Sequence, residues 1–179
     1  MLVKNETIAN SVQNEKKSSQ YDFSGSHILL VDDVETNLLI IRALLARTNI
    51  VIHEAGDGET ALDIFTKSPE GYYDAVFMDI QMPGIDGFET IRRMRELPRP
   101  DARKVPVIAM TADAYEDMEE SKLTELNGYI AKPVDANEIK NLLANLLKKA
   151  TSKNLGIKAC DRDKSGVYSK VNEHFVEGA

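Results

Sequence analysis

Five short apolar runs, at 27–31, 50–54, 73–78, 106–110 and 128–131, alternate with segments of helical periodicity near 34–47, 58–67, 86–97, 113–125 and 135–149. A short continuous apolar run reads as a strand buried on both faces. Strands alternating with helices read as a parallel sheet covered by helices on both sides. Right-handed crossovers then leave few topologies. The expected class is therefore α/β, a doubly wound (βα)5 unit with a five-stranded parallel sheet.

The ends of these runs carry the chemistry. Asp32 and Asp33 follow His27-Ile28-Leu29-Leu30-Val31, and Ala75-Val76-Phe77-Met78 delivers Asp79 in the same way. In an open parallel sheet, ligands bind beyond the carboxyl ends of the strands, so these acids are expected to converge. The flavodoxin-like strand order 2-1-3-4-5 fits, because it places the first and third strands side by side. Clustered carboxylates repel unless a cation offsets them, and oxygen-only ligands favour a hard ion such as magnesium. Two further strand ends add Thr111 after Val107-Ile108-Ala109-Met110, and Lys132-Pro133 after Gly128-Tyr129-Ile130-Ala131. A divalent cation, an ammonium and a hydroxyl around one carboxylate suit a phosphoryl group with dispersed negative charge.

The motifs ILLVDD, MDIQMPGIDGFE, VIAMTA and GYIAKPVD, in that order across residues 25 to 150, resemble the receiver domain of two-component signalling. The style is that of receivers attached to hybrid sensor histidine kinases. The resemblance implies that Asp79 is the phosphoacceptor, attacking the phosphoryl group of a histidine. It implies magnesium held by Asp33, by Asp32 directly or through water, by Asp79 and by the backbone carbonyl of Gln81. Lys132 would reach the phosphoryl oxygens, Thr111 would be the switch hydroxyl, and Tyr129 the aromatic that swings inward with it. Pro133 sets a rigid turn, with a cis bond as one option. The implied donor is a sensor histidine kinase or a histidine phosphotransfer protein, and the implied role is a switch or relay with self-catalysed chemistry only. Plainer readings stand beside four of these residues: Asp79 as a capping or surface acid, Asp33 as a helix cap, Lys132 as a surface ion pair, Tyr129 as strand packing.

Leu38-Leu39-Ile40-Ile41 is a run that one helix cannot bury entirely against a sheet, so some of it faces outward. Leu38 and Leu39, with Pro133, form the expected docking surface for a histidine-bearing helix. One departure from the family pattern is Glu125-Leu126-Asn127-Gly128, which lacks the usual Met before the fifth strand. Two rivals use the same residues. A haloacid-dehalogenase-like phosphatase also pairs a strand-end Asp with magnesium, but it needs a second Asp two residues on, where Asp33-Val34-Glu35 offers Glu. An interaction module would act through Leu38 and Leu39 with incidental phosphorylation.

Composition bounds the rest. The net charge of −7 provides no basic patch for nucleic acid, and Arg92-Arg93-Met94-Arg95 reads as the solvated face of a helix. Cys160 is the single cysteine, so no internal disulfide forms. No apolar run approaches the length of about 20 residues that spans a bilayer, and none near Met1 reads as a signal peptide, so a cytoplasmic chain without membrane contact is expected. Residues 1–24 read as linker or disordered segment and 25–150 as the receiver unit. Residues 151–179 form an extension in which Leu155-Gly156-Ile157 through Phe175-Val176 resembles the opening of a truncated histidine phosphotransfer domain. His174 lacks a surrounding phosphotransfer motif. Asp161 to Gly166 matches half a calcium loop but ends on Asn172 where Glu is required. Asp135 is the expected cap of a final helix whose buried face is Ile139, Leu142, Leu143, Leu146 and Leu147, ahead of Lys148-Lys149.

Overall fold

The computed structural model describes residues 21–112 and 124–154, with 148–154 as backbone only. The helix expected near 113–125 and the readings for 1–20 and 155–179 lie outside the described residues. The sheet consists of β1 (His27–Val31), β2 (Val51–Ala55), β3 (Ala75–Asp79), β4 (Val107–Thr111) and β5 (Gly128–Ala131). All neighbours pair in parallel, in the expected order β2-β1-β3-β4-β5. The helices are α1 (Glu35–Leu45), α2 (Gly58–Lys67), α3 (Gly87–Arg95) and α4 (Ala136–Asn154).

Strand side chains alternate between faces, so each apolar run splits into two packing sets. Ile28, Leu30, Phe77, Ile108, Met110 and Ile130 pack with Ile41 and Leu45 of α1 and Ile139, Leu142 and Leu143 of α4. Leu29, Val31, Val76, Met78, Val107 and Ala109 pack on the other face with Ala61 and Phe65 of α2 and Ile91 and Met94 of α3. That two-sided burial explains why the strands read as unbroken apolar runs. Helix starts are set by acids: Asp57 accepts from the Thr60 amide at 2.7 Å, Asp86 from Glu89 at 2.8 Å, and Asp135 from Glu138 at 3.0 Å, as expected for Asp135. Each such cap contributes about 0.5–2 kcal/mol.

The structure corrects several boundaries. Phe23 is buried in the core and its amide donates to the Thr48 carbonyl at 2.6 Å, so the fold begins before the expected 24/25 boundary. The final helix runs to Asn154, beyond the expected end near 149. Leu126 is buried and Asn127 brackets the Val107 backbone, accepting its N–H and donating to its carbonyl, both at 2.8 Å. The departure from the family pattern at 125–128 thus still registers β5 against β4.

A short 3-10 turn, Pro100–Arg103, was not legible in the periodicity. Arg99 beside it donates to the carbonyls of Phe65, Ser68 and Pro69, satisfying the end of α2, and pairs with Asp101, which itself accepts from the Gly71 amide. Arg92 and Arg93 are solvated, as read from the sequence, and each pairs with Glu89. Arg95 instead turns inward to the carbonyls of Ala102 and Val105, both at 2.8 Å, because the 3-10 turn presents them to it.

Candidate functional site

The strand order brings the carboxyl ends of β1 and β3 together, with Val31 opposite Met78. Asp79 is the last residue of β3, and Asp32 and Asp33 lie directly after β1. One carboxylate oxygen from each of the three lies within 4.8 Å of the others. Asp32 is 0% exposed and Asp79 3%, whereas Asp33 is open to solvent. The convergence expected from the sequence is therefore present.

Lys132, just after β5, sits between the two buried acids. Its Nζ lies 2.6 Å from Asp79 Oδ2 and 2.7 Å from Asp32 Oδ2. The Gln81 amide donates to Asp79 Oδ1 at 3.1 Å, so both Asp79 oxygens have a donor and the carboxylate plane is fixed. Burial raises the Asp79 carboxyl above the ordinary range, with a smaller push from Asp32, and the Lys132 and Gln81 bonds only partly offset it. Burial acts to lower Lys132, but the hydrogen bonds to Asp32 and then Asp79 outweigh it, so the ammonium stays charged with a raised pKa.

The remaining predicted residues are arranged around this pair. Thr111 ends β4, is 1% exposed, and its carbonyl accepts from the Lys132 amide at 2.8 Å. Tyr129 stands in β5 opposite Ala109 and is partly exposed. The Lys132–Pro133 bond is cis, the option raised by the sequence. In α1, Leu38 and Ile41 turn into the core while Leu39 and Ile40 face solvent, at 52% and 46% exposure. The docking reading of Leu38 is thereby corrected: helical rotation buries it at 9% exposure, and only its edge lines a shallow groove with Glu35, Thr36, Leu39, Arg42 and Glu54. Ile40 and Val34 are further outward apolar residues on and just before α1.

Two further residues shape the site. Asn37 Nδ2 lies 2.9 Å from Asp32 Oδ1 and 3.1 Å from Oδ2, and the Val34 amide donates to Oδ1 at 2.9 Å. The available signal was an Asn in the first turn of a helix, where it has poor propensity, four residues past the acidic pair. Gly87 is the other. A Cβ there would sit 2.2 Å from the Asp79 carbonyl oxygen and 2.8 Å from Ile80 Cα. Only hydrogen at this position lets the first turn of α3 close on the end of β3, where the Gly87 amide donates to the Ile80 carbonyl at 3.1 Å. Gly87→Ala is expected to lower unfolding free energy by about 1–3 kcal/mol through backbone overpacking. Urea unfolding checks this, and an unchanged midpoint would contradict it.

Chemically, the cluster among the described residues is three carboxylates with no His or Cys, which fits a hard divalent cation. Among the described residues no helix is long and apolar enough to cross a membrane.

Comparison with known proteins agrees with this geometry. Residues 28–144 match the family model described as the response regulator receiver domain. "Probable histidine kinase 2" of Oryza sativa subsp. indica is 32% identical over 139 residues, covering 71% of this chain and 13% of the relative. "Hybrid signal transduction histidine kinase L" of Dictyostelium discoideum is 33% identical over 118 residues, covering 65% of this chain and 7% of the relative. This chain thus spans only a small fraction of the curated relatives it matches. Among solved structures, the receiver domain of a sensor histidine kinase from Pseudomonas aeruginosa PAO1 is 32% identical, with a TM-score of 0.61, covering 70% of this chain and 99% of that one. That structure has a magnesium ion coordinated in its active-site cleft. The haloacid-dehalogenase alternative is not favoured by these matches.

Proposed function

This chain belongs to the response regulator receiver family of two-component signalling, and from that premise we propose that Asp79 takes a phosphoryl group from a phosphohistidine in a magnesium-dependent reaction. The observation that carries the reading is Lys132 bridging two buried acids beside a third, exposed one. Receiver domains are signalling modules, so the output is a change of conformation or onward relay of the phosphate. The donor is a histidine kinase or a histidine phosphotransfer protein, and a cytoplasmic location belongs to the same reading.

An Asp79 carboxylate oxygen forms the new P–O bond, the P–N bond to the donor histidine breaks, and its electron pair returns to the imidazole nitrogen. Gln81 and Lys132 hold the carboxylate plane for that attack. Lys132, kept protonated by its acidic partners, offers fixed positive charge to the phosphoryl oxygens rather than a proton. Asp33, Asp32, Asp79 and the Gln81 carbonyl are the residues that would hold magnesium. When bound, the ion supplies charge neutralisation for the transferring group. Leu39, Ile40 and Val34, with the exposed Pro133 that follows Lys132 after β5, are the apolar surface proposed for the donor helix.

Asp33→Ala is expected to weaken magnesium binding by about tenfold or more, and more than Asp32→Ala, because only Asp33 presents an open carboxylate. Calorimetric or NMR titration of the full chain measures this. Equal affinity in all three proteins would refute the metal role of both acids.

Thr111→Ala is expected to accept phosphate normally but to lose the hydrogen bond that favours the active state. A bond to a charged group is worth roughly 1.5–3 kcal/mol, enough to shift a two-state population by about tenfold or more. Backbone NMR shifts around Tyr129 should then change on phosphorylation of the native chain and change much less in the variant. A full native shift pattern in Thr111→Ala at equal phosphorylation would place the coupling elsewhere.

A further inference from the structure

The magnesium reading leaves one polar side chain in the site without a role. Asn37 lies in the first turn of α1, where Asn is a poor helix former, and helical side chains lean toward the N-terminus of their helix. That lean carries its amide back over the β1 end, where Nδ2 meets both oxygens of Asp32, at 2.9 Å and 3.1 Å. Asp32 is fully buried, so its orientation is set by protein donors rather than by water. The Val34 amide holds Oδ1 and Lys132 holds Oδ2, but each touches a single oxygen. Lys132 is also shared with Asp79, and its ammonium can rotate between acceptors. Asn37 is the one of these three donors that reaches both oxygens, and with Val34 and Lys132 it completes the set that holds the carboxylate's orientation.

We propose that Asn37 is a positioning residue, whose side-chain amide locks the Asp32 carboxylate in the orientation that serves the divalent cation. The inference rests on the magnesium reading of the acidic cluster. Its consequence is that affinity for the cation depends on a residue that does not itself ligate. Groups that orient metal-binding carboxylates typically change affinity by about 10–100-fold when removed.

The test uses magnesium alone as the probe on the full chain. Asn37→Leu keeps the side-chain shape without the donor, and Asn37→Ala is a second, smaller replacement in case Leu perturbs the turn. Magnesium titration by NMR or calorimetry should show binding about tenfold weaker or worse in both. The Val34 amide resonance should also move, because its acceptor Oδ1 is no longer held. Phosphorylation from acetyl phosphate at saturating magnesium should recover to within a few-fold of native, separating metal affinity from the transfer step.

A cycle with Asp32→Asn decides whether Asn37 acts through Asp32: in that background, Asn37→Leu should leave magnesium affinity unchanged. Native affinity in both folded Asn37 variants, or an equal loss with and without Asp32→Asn, overturns the proposal. Failure of the native chain to bind magnesium at all would instead overturn the underlying metal reading.

Discussion

In Asp79→Asn, phosphoryl incorporation from acetyl phosphate and magnesium is expected to fall by at least about a thousandfold, the order associated with removing a covalent nucleophile. An amide oxygen has the same shape as the carboxylate oxygen but cannot form an acyl phosphate. Its carbonyl still accepts from Lys132 or Gln81, while the other donor then faces the amide nitrogen and loses its acceptor. The substitution also removes a buried charge whose protonation burial already favours, so the variant should remain folded. Native-like amide spectra combined with loss of incorporation is the expected pair of results. Stoichiometric incorporation in the folded variant would move the phosphoacceptor to another residue.

Lys132→Met is expected to cost about 3 kcal/mol of unfolding free energy in metal-free buffer, the lower part of the range for breaking a buried ion pair. The lower part applies because Asp32 retains Asn37 and the Val34 amide, while Asp79 retains only Gln81 among the donors described. The pH dependence has a definite sign. Burial raises the Asp79 carboxyl, and losing the ammonium raises it further, so the folded state binds a proton more tightly than the unfolded state. The deficit relative to native is therefore largest above that raised pKa and shrinks as pH falls through it. Saturating magnesium should restore part of the loss by binding only the folded state. Denaturant unfolding across pH, with and without magnesium, reads all three effects. A native midpoint at neutral pH in chelator would show that Lys132 does not balance these charges.

Much of this was legible because the relevant signals are local. An apolar run ending in an acid announces both a buried strand and a strand-end ligand, which is why Asp32, Asp33, Asp79, Thr111 and Lys132 were placed correctly around the mouth of the sheet. Strand order followed from requiring the first and third strand ends to share a cation. What was missed depends on three-dimensional approach. Leu38 and Leu39 are indistinguishable as letters, but one helical step of 100° buries the first and exposes the second. Asn37 shows in the sequence only as a poor helix former in a first turn, and its role emerges once α1 is wound and its amide lies over Asp32. Gly87 is one glycine among several until the Asp79 carbonyl is found where its Cβ would be. Arg95 reads as surface charge because its acceptors are backbone carbonyls, which the sequence does not distinguish.

The central claim is that phosphate resides on Asp79 as an acyl phosphate. Borohydride reduction of the full chain after acetyl phosphate and magnesium, followed by peptide mass spectrometry, tests it at residue level, since reduction converts an aspartyl phosphate to homoserine. The expected result is homoserine at position 79 only, and none when magnesium is chelated. Homoserine at position 32 or 33, or a phosphate that resists reduction and maps to a hydroxyl or imidazole, would contradict the account.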